Sequence, residues 1–275
     1  MRVKPMDVVV YILIAVALFL TLFPIYWTFK TAFQNSIDAF HIPPLLLPSA
    51  NGVRNFMDFV QKGGLGTIRN SLIVGISSTI IIAIIGPMAG YSFSRFKVGG
   101  NFLPFWILSQ RMLPPIAFVI PIFLIFQSLN LVNTYPGLTL AYIAFNLPYA
   151  VWMMRGIFDE LPVEIEEAAM IDGCSNFQRY WKIALPLARP GIAATFIFCF
   201  ILAWNEFLFA LILMRSRNMF TLPVTEYSFY FGGGSGFMFG PASMQAIIAI
   251  VPVIILSIYI QKHLVRGLTF GAVKG

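Results

Sequence analysis

Arg111 and Glu206 are the two formally charged side chains set deep inside long apolar runs of this 275-residue chain. Arg111 lies about 14 Å into its run at ~1.5 Å per helical residue. A charge at such depth in a bilayer costs at least ~2.5–3.5 kcal/mol, so it must face a cavity or a partner. An Arg111–Glu206 pair would meet that need. Gln110, Asn146, Trp204 and Asn205 also lie within apolar runs. Their amides and indole suit a hydroxyl-rich ligand in a pore, or equally lock helices together through hydrogen bonds. An intramembrane enzyme would need a base paired with a nucleophile, or a metal cluster, and no such grouping stands here. His41 and His263 are isolated and lack metal-ligand spacing. No catalytic residue and no metal ligand is expected.

A second concentration of charge runs from Arg155 to Arg189. Six of the eleven acidic residues sit there: Asp159, Glu160, Glu164, Glu166, Glu167 and Asp172. Pro162 suits a first helical position, where its missing N–H costs nothing. The glutamates that follow complement the helix dipole. Gly173 fits a left-handed C-terminal cap. Ser175 and Gln178 make a capping-box pattern for a second short helix through about Ala184, which Pro186 should stop. Two short helices hinged at Gly173 predict a stiff, protruding elbow.

These features must be positioned by membrane helices. The chain is 59% hydrophobic and 11% charged, against about 25% charged in a soluble domain. A span needs roughly 20 mainly apolar residues. Six runs qualify: about 8–29, 70–94, 102–127, 136–154, 190–213 and 241–261. They are too long and continuous for barrel strands. The expectation is an all-α membrane protein with six transmembrane helices, forming one domain over 1–275. The first run is too long for a signal-peptide core and reads as a retained span. Gly86 and Gly90 match a small-residue packing pattern, and prolines within the spans predict kinks.

With the N-terminus inside, the inner segments hold Arg2, Lys4, Arg95, Lys97, Arg155, Arg179, Lys182, Arg189, Lys262, Arg266 and Lys274. The outer ones hold Lys30, Arg54, Lys62, Arg69, Arg215 and Arg217. That bias predicts both termini and the 155–189 loop on the cytoplasmic side. The net charge of +7 is scattered over loops and marks no nucleic-acid surface. Cys174 and Cys199 fall in a loop and a span, which argues against a disulfide. The glycines at 232–236 read as an outer loop tip. The aromatics around them, including Tyr227, Phe229, Tyr230, Phe231 and Phe237, suit an interfacial belt.

No lysine follows a glycine anywhere in the sequence. A phosphate-binding P-loop requires that dipeptide, so this chain is not its own ATPase. Energy must come from a partner or from an ion gradient.

Glu167-Ala168-Ala169, then Asp172-Gly173, nine further residues and Ile183-x-Leu185-Pro186 form a constellation that resembles the EAA loop of ABC importer permeases. The tail from Gly267 to Gly275, Pro148, Arg155-Gly156 and Trp204-Asn205-Glu206 are similar to the second permease subunit of maltose-type carbohydrate importers. The resemblance implies a type I importer permease in a bacterial inner membrane. It implies a second homologous permease subunit, two ATPase subunits that bind ATP and Mg, and an extracytoplasmic binding protein that delivers a sugar or sugar derivative. No cofactor is implied in this chain itself. Glu166, Glu167, Ala168, Ala169, Asp172, Gly173, Leu185 and Pro186 would form the ATPase-coupling elbow. The tail, about 262–275, would reach the same interface. In the family, the outer loop that corresponds to 215–240 can reach into the binding protein. Position 174 is Cys where the family more often has Ala. The competing expectation is an ion-coupled secondary transporter, although no internal repeat supports it.

Overall fold

A computed structural model describes residues 5–231 and 238–271, with side chains over 6–229 and 238–259. The basic residues Arg2 and Lys4, the glycine cluster, Phe237 and the last residues of the tail lie outside the described residues. So do the side chains of Tyr230 and Phe231.

Every regular element among the described residues is helical. In order they are α1 (Pro5–Ala32), α2 (Gly52–Gln61), α3 (Gly64–Arg95), α4 (Phe102–Ser109), α5 (Pro115–Ser128), α6 (Tyr135–Glu160), α7 (Val163–Ile171), α8 (Asn176–Arg179), α9 (Leu185–Leu187), α10 (Arg189–Trp204), α11 (Leu208–Leu213), α12 (Leu222–Phe231) and α13 (Phe239–Gly271). Helices satisfy their own backbone groups, which an apolar solvent demands.

Among the described residues, four helices are long and apolar enough to cross a membrane: Met6–Ala32, Gly64–Arg95, Tyr135–Glu160 and Phe239–Tyr259. The expected third and fifth runs are not continuous helices. Phe102–Met112 and Pro115–Ser128 meet at 94°, and Asn176–Leu187 meets Arg189–Trp204 at 75°. Counting each bent pair as one span gives six. The first break has a local cause. Pro114 and Pro115 exclude helical geometry from the residue before each of them, and Leu113 and Pro114 are extended, with ψ of 135° and 128°. The expected 190–213 run is also interrupted near its end, where α10 stops at Trp204 and α11 begins at Leu208.

By contacts the chain forms two compact units, Met1–Leu65 with Thr225–Pro252, and Gly66–Val224 with Val253–Gly275. In the first, Asn55 on α2 donates to the carbonyls of Ala32 and Gln34, each at 2.8 Å. Phe40 meets Phe239 edge-on, with ring centroids 5.1 Å apart.

In the second unit α6 is the central helix, packed against α10, α4 and α11. A core of Val74, Leu138, Tyr142, Ala203, Phe209, Ala210 and Leu213 fills one part of it. The small-residue face of α3 lies against α6. A Cβ on Gly90 would stand 2.7 Å from the Met154 Cβ and 2.8 Å from the Arg155 nitrogen, and one on Gly86 would stand 3.0 Å from the Ala150 Cβ. Only glycine lets these backbones approach so closely. Overpacking such a site costs about 1–3 kcal/mol. Gly90→Leu should therefore lower the detergent-solubilised melting temperature, whereas Gly66→Ala, with open space around it, should leave it unchanged.

Candidate functional site

The elbow follows the expected capping. Gly173 has φ of +86°. Cys174 N–H donates to the Ala169 carbonyl at 2.9 Å and Gly173 N–H to the Met170 carbonyl at 3.1 Å, which is a Schellman cap. The capping box is complete: Ser175 Oγ accepts from Gln178 N–H, and Gln178 Oε1 accepts from Ser175 N–H at 2.9 Å. Arg179 also bonds Asn176.

Pro186 does not end the second helix. Residues Tyr180–Ala184 widen into a π turn, α9 continues through Leu187, and the bend falls at Ala188. A proline clashes with the carbonyl four residues back, and the wider turn just before Pro186 relieves that clash.

The elbow is seated by a buried ion pair. Glu166, 2% exposed, accepts from Arg95 Nε at 2.7 Å and from the Tyr91 hydroxyl at 2.5 Å. Arg95 also donates to Ser94 Oγ and to the Leu161 carbonyl, each at 3.1 Å. One guanidinium thus joins the end of α3, the exit of α6 and the first turns of α7. Beside it the Ser94 hydroxyl donates to Asp159 at 2.5 Å, and Arg155 reaches Asp159 at 3.6 Å and Asn101 at 3.0 Å. Tyr91 packs edge-on against Phe158 at 5.3 Å and tilted on Tyr180 at 5.1 Å.

With Glu166 and Ala169 turned inward, α7 presents Glu167 and Ala168, and the turn after it presents Asp172 and Gly173, all exposed. Leu185 and Pro186 are half-buried at the base. Ile171, Phe177 and Trp181 are exposed apolar neighbours. Tyr91, Arg95, Phe177 and Trp181 were not singled out from the sequence. A basic residue closing a span just before a loop was the available signal for Arg95.

The intramembrane candidates are not gathered into one site. Arg111 does not pair with Glu206. Its guanidinium stacks over Phe145 at 3.7 Å and Tyr149 at 4.3 Å, and its buried Nε and Nη1 have no hydrogen-bond acceptor. The carboxylate of Glu206 is instead used locally. It accepts from the Phe209 N–H at 2.9 Å and the Ala210 N–H at 3.2 Å, at the start of α11. Those donors would otherwise be orphaned at a helix start. Trp204 is buried and stacks on Phe200, and Asn146 is buried within α6 packing. Gln110 and Asn205 are exposed and bond back to the carbonyls of Trp106 and Ile201. The exposed ones, with Arg111, sit where spans three and five break. Outside the candidate spans, burial raises the Glu226 carboxyl above its ordinary range.

Four to six candidate spans among the described residues, together with a braced polar elbow, mark a polytopic membrane protein. The chain belongs to the family described as binding-protein-dependent transport system inner membrane component, whose profile matches residues 81–270. It is an inner-membrane ABC permease that works with other components of its transporter. It is 34% identical over 267 residues to the diacetylchitobiose uptake system permease protein DasC of Streptomyces coelicolor, covering 95% of each chain. It is 32% identical over 258 residues to the trehalose/maltose transport system permease protein MalG of Thermococcus litoralis, covering 92% of each. Its fold matches a solved bacterial ABC transporter involved in the import of the acidic polysaccharide alginate. The TM-score is 0.77 at 22% identity, over 95% of this chain and 99% of that one.

Breaking a buried ion pair by removing one partner costs about 3–5 kcal/mol, because it strands a charge. With side chains 11% and 3% exposed, Arg95→Met or Glu166→Met alone should lower thermal stability strongly. The double substitution should recover much of the loss in the same melting assay.

Proposed function

We propose that this chain is one of two permease subunits of an importer for a sugar or sugar derivative. The elbow carries the reading: a rigid two-helix projection pinned to its own membrane helices by Glu166, with Glu167, Ala168, Asp172 and Gly173 turned outward. Such a projection suits insertion into a cleft on an ATPase subunit. The sugar assignment rests on relatives named for diacetylchitobiose and for trehalose and maltose.

In this reading the chain is a single permease domain crossing the membrane six times, with α4 and α5 as the third span and α10 and α11 as the fifth. Both termini and the elbow face the cytoplasm, in keeping with the distribution of lysine and arginine. A second homologous permease completes the pore. Two ATPase subunits bind ATP and Mg below it, and an extracytoplasmic binding protein delivers the sugar from above. The tail, about 262–275, adds to the ATPase interface. ATP hydrolysis belongs to the partners, in keeping with the missing Gly-Lys dipeptide. Closure of the ATPase pair would move both elbows and turn the pore outward.

Within the membrane, Gln110, Arg111, Asn205 and Glu206 border the broken spans, where irregular backbone is tolerated if it lines a cavity. We assign pore contact to Gln110, Arg111 and Asn205. Glu206 shapes the second break through its cap, and Asn146 and Trp204 hold the walls.

Reconstitution with the ATPase and binding-protein partners tests the elbow. Glu167→Lys alters an exposed charge, and Gly173→Pro forbids the positive φ that the Schellman cap requires. Either should abolish ATP-dependent sugar uptake or ATPase assembly while the permease still inserts in the membrane. Unchanged uptake in both variants would refute the docking role. Sugar uptake by the permease alone, driven by an ion gradient, would refute the importer reading.

A further inference from the structure

Among the described residues, no anion answers the positive charge of Arg111. It stands in the 3-10 turn Gln110–Met112 that follows α4, just before the extended Leu113 and Pro114. The ion pairs formed among the described residues are Arg95–Glu166 and Arg155–Asp159, and Arg111 enters neither. Glu206 is committed elsewhere, one oxygen to the Phe209 N–H and the other to the Ala210 N–H. The Nε and Nη1 of Arg111 are covered by this chain's own atoms and find no acceptor. A partner subunit could not supply one there without displacing those atoms.

Aromatic rings hold the guanidinium instead. Phe145 and Tyr149 lie one turn apart on α6, so their rings share a face. The guanidinium carbon is 3.7 Å from the first ring centroid and 4.3 Å from the second. Tyr149 is itself braced edge-on by Phe198 of α10, with ring centroids 5.8 Å apart. A ring quadrupole attracts a cation but carries no net charge. This mounting therefore fixes the side chain in place and leaves its positive charge uncancelled. Arg95 is the contrast within the same chain, since its charge is spent on Glu166.

An uncancelled charge at a broken span suits one task in import. The membrane potential drives cations inward, and a path wide enough for a saccharide is wide enough for protons and sodium in water. A fixed positive charge in a low-dielectric path repels those cations and leaves an uncharged solute alone. Resting on the pore contact assigned to Arg111 above, we propose that Arg111 is the cation barrier of this permease, excluding protons and alkali-metal cations while a neutral saccharide passes.

The test uses the complete transporter in liposomes, carrying Cys174→Ala and Cys199→Ala, during ATP-driven turnover under a potential negative inside. Fluorescent indicators in the lumen read proton and sodium influx. Fixed charge of one sign in a cleft changes local ion concentration by about tenfold or more, so Arg111→Gln and Arg111→Cys should each raise cation influx by about tenfold. Arg111→Lys, which keeps the charge, should stay at the parent level. Cationic and neutral methanethiosulfonates of matched size are then attached to Arg111→Cys. The cationic adduct should return influx to the parent level and the neutral adduct should not. Equal effects of the two adducts would show a steric plug and overturn the barrier. Influx at the parent level in Arg111→Cys, at a thiol that the reagents do modify, would overturn the barrier and leave the pore contact standing. A thiol that neither reagent reaches at any stage of the cycle would overturn both.

Discussion

The pairing of Arg95 with Glu166 is the interaction on which the elbow depends. A carboxylate and a guanidinium taken out of water are tolerated only when their remaining hydrogen-bonding groups find partners. Tyr91, Ser94 and the Leu161 carbonyl supply them. Because these partners come from α3 and from the exit of α6, the ion pair makes the elbow a rigid continuation of two membrane helices. Those helices are themselves joined closely through Gly86 and Gly90. A load placed on the outer face of α7 is therefore borne by packed helices and not by a flexible loop.

The broken spans add the complementary feature. At Leu113–Pro114 and at Asn205–Phe207 the helical ladder is interrupted, and polar side chains cluster at the interruptions. Glu206 makes the second break sustainable by accepting from two amides at the start of α11. Arg111 stands at the first, held by aromatic faces and lacking an acceptor on its buried nitrogens.

Much of this was legible in sequence where the cause is local. Apolar runs gave the long helices, Gly173 gave its cap, and Ser175 with Gln178 gave the capping box, since each depends on residues within a few positions. The roles of Glu164, Glu166 and Glu167 were not separable that way. Three carboxylates in one short helix look alike until tertiary packing turns Glu166 toward an arginine 71 positions earlier. The same holds for Glu206, whose depth suggested an ion pair but whose nearest unsatisfied groups were backbone amides. Prolines announced a kink in the expected third span, but its size, 94°, was not legible in them.

The central claim is that the elbow and α3 move as one body. Spin labels at Asp172→Cys on the elbow and Met88→Cys on α3, in a transporter lacking its native cysteines, measure it directly. Pulsed distance measurements in the nucleotide-free and vanadate-trapped states should give the same distance distribution. A shift or broadening that appears only on nucleotide trapping would show the elbow pivoting on α3 and would contradict the account.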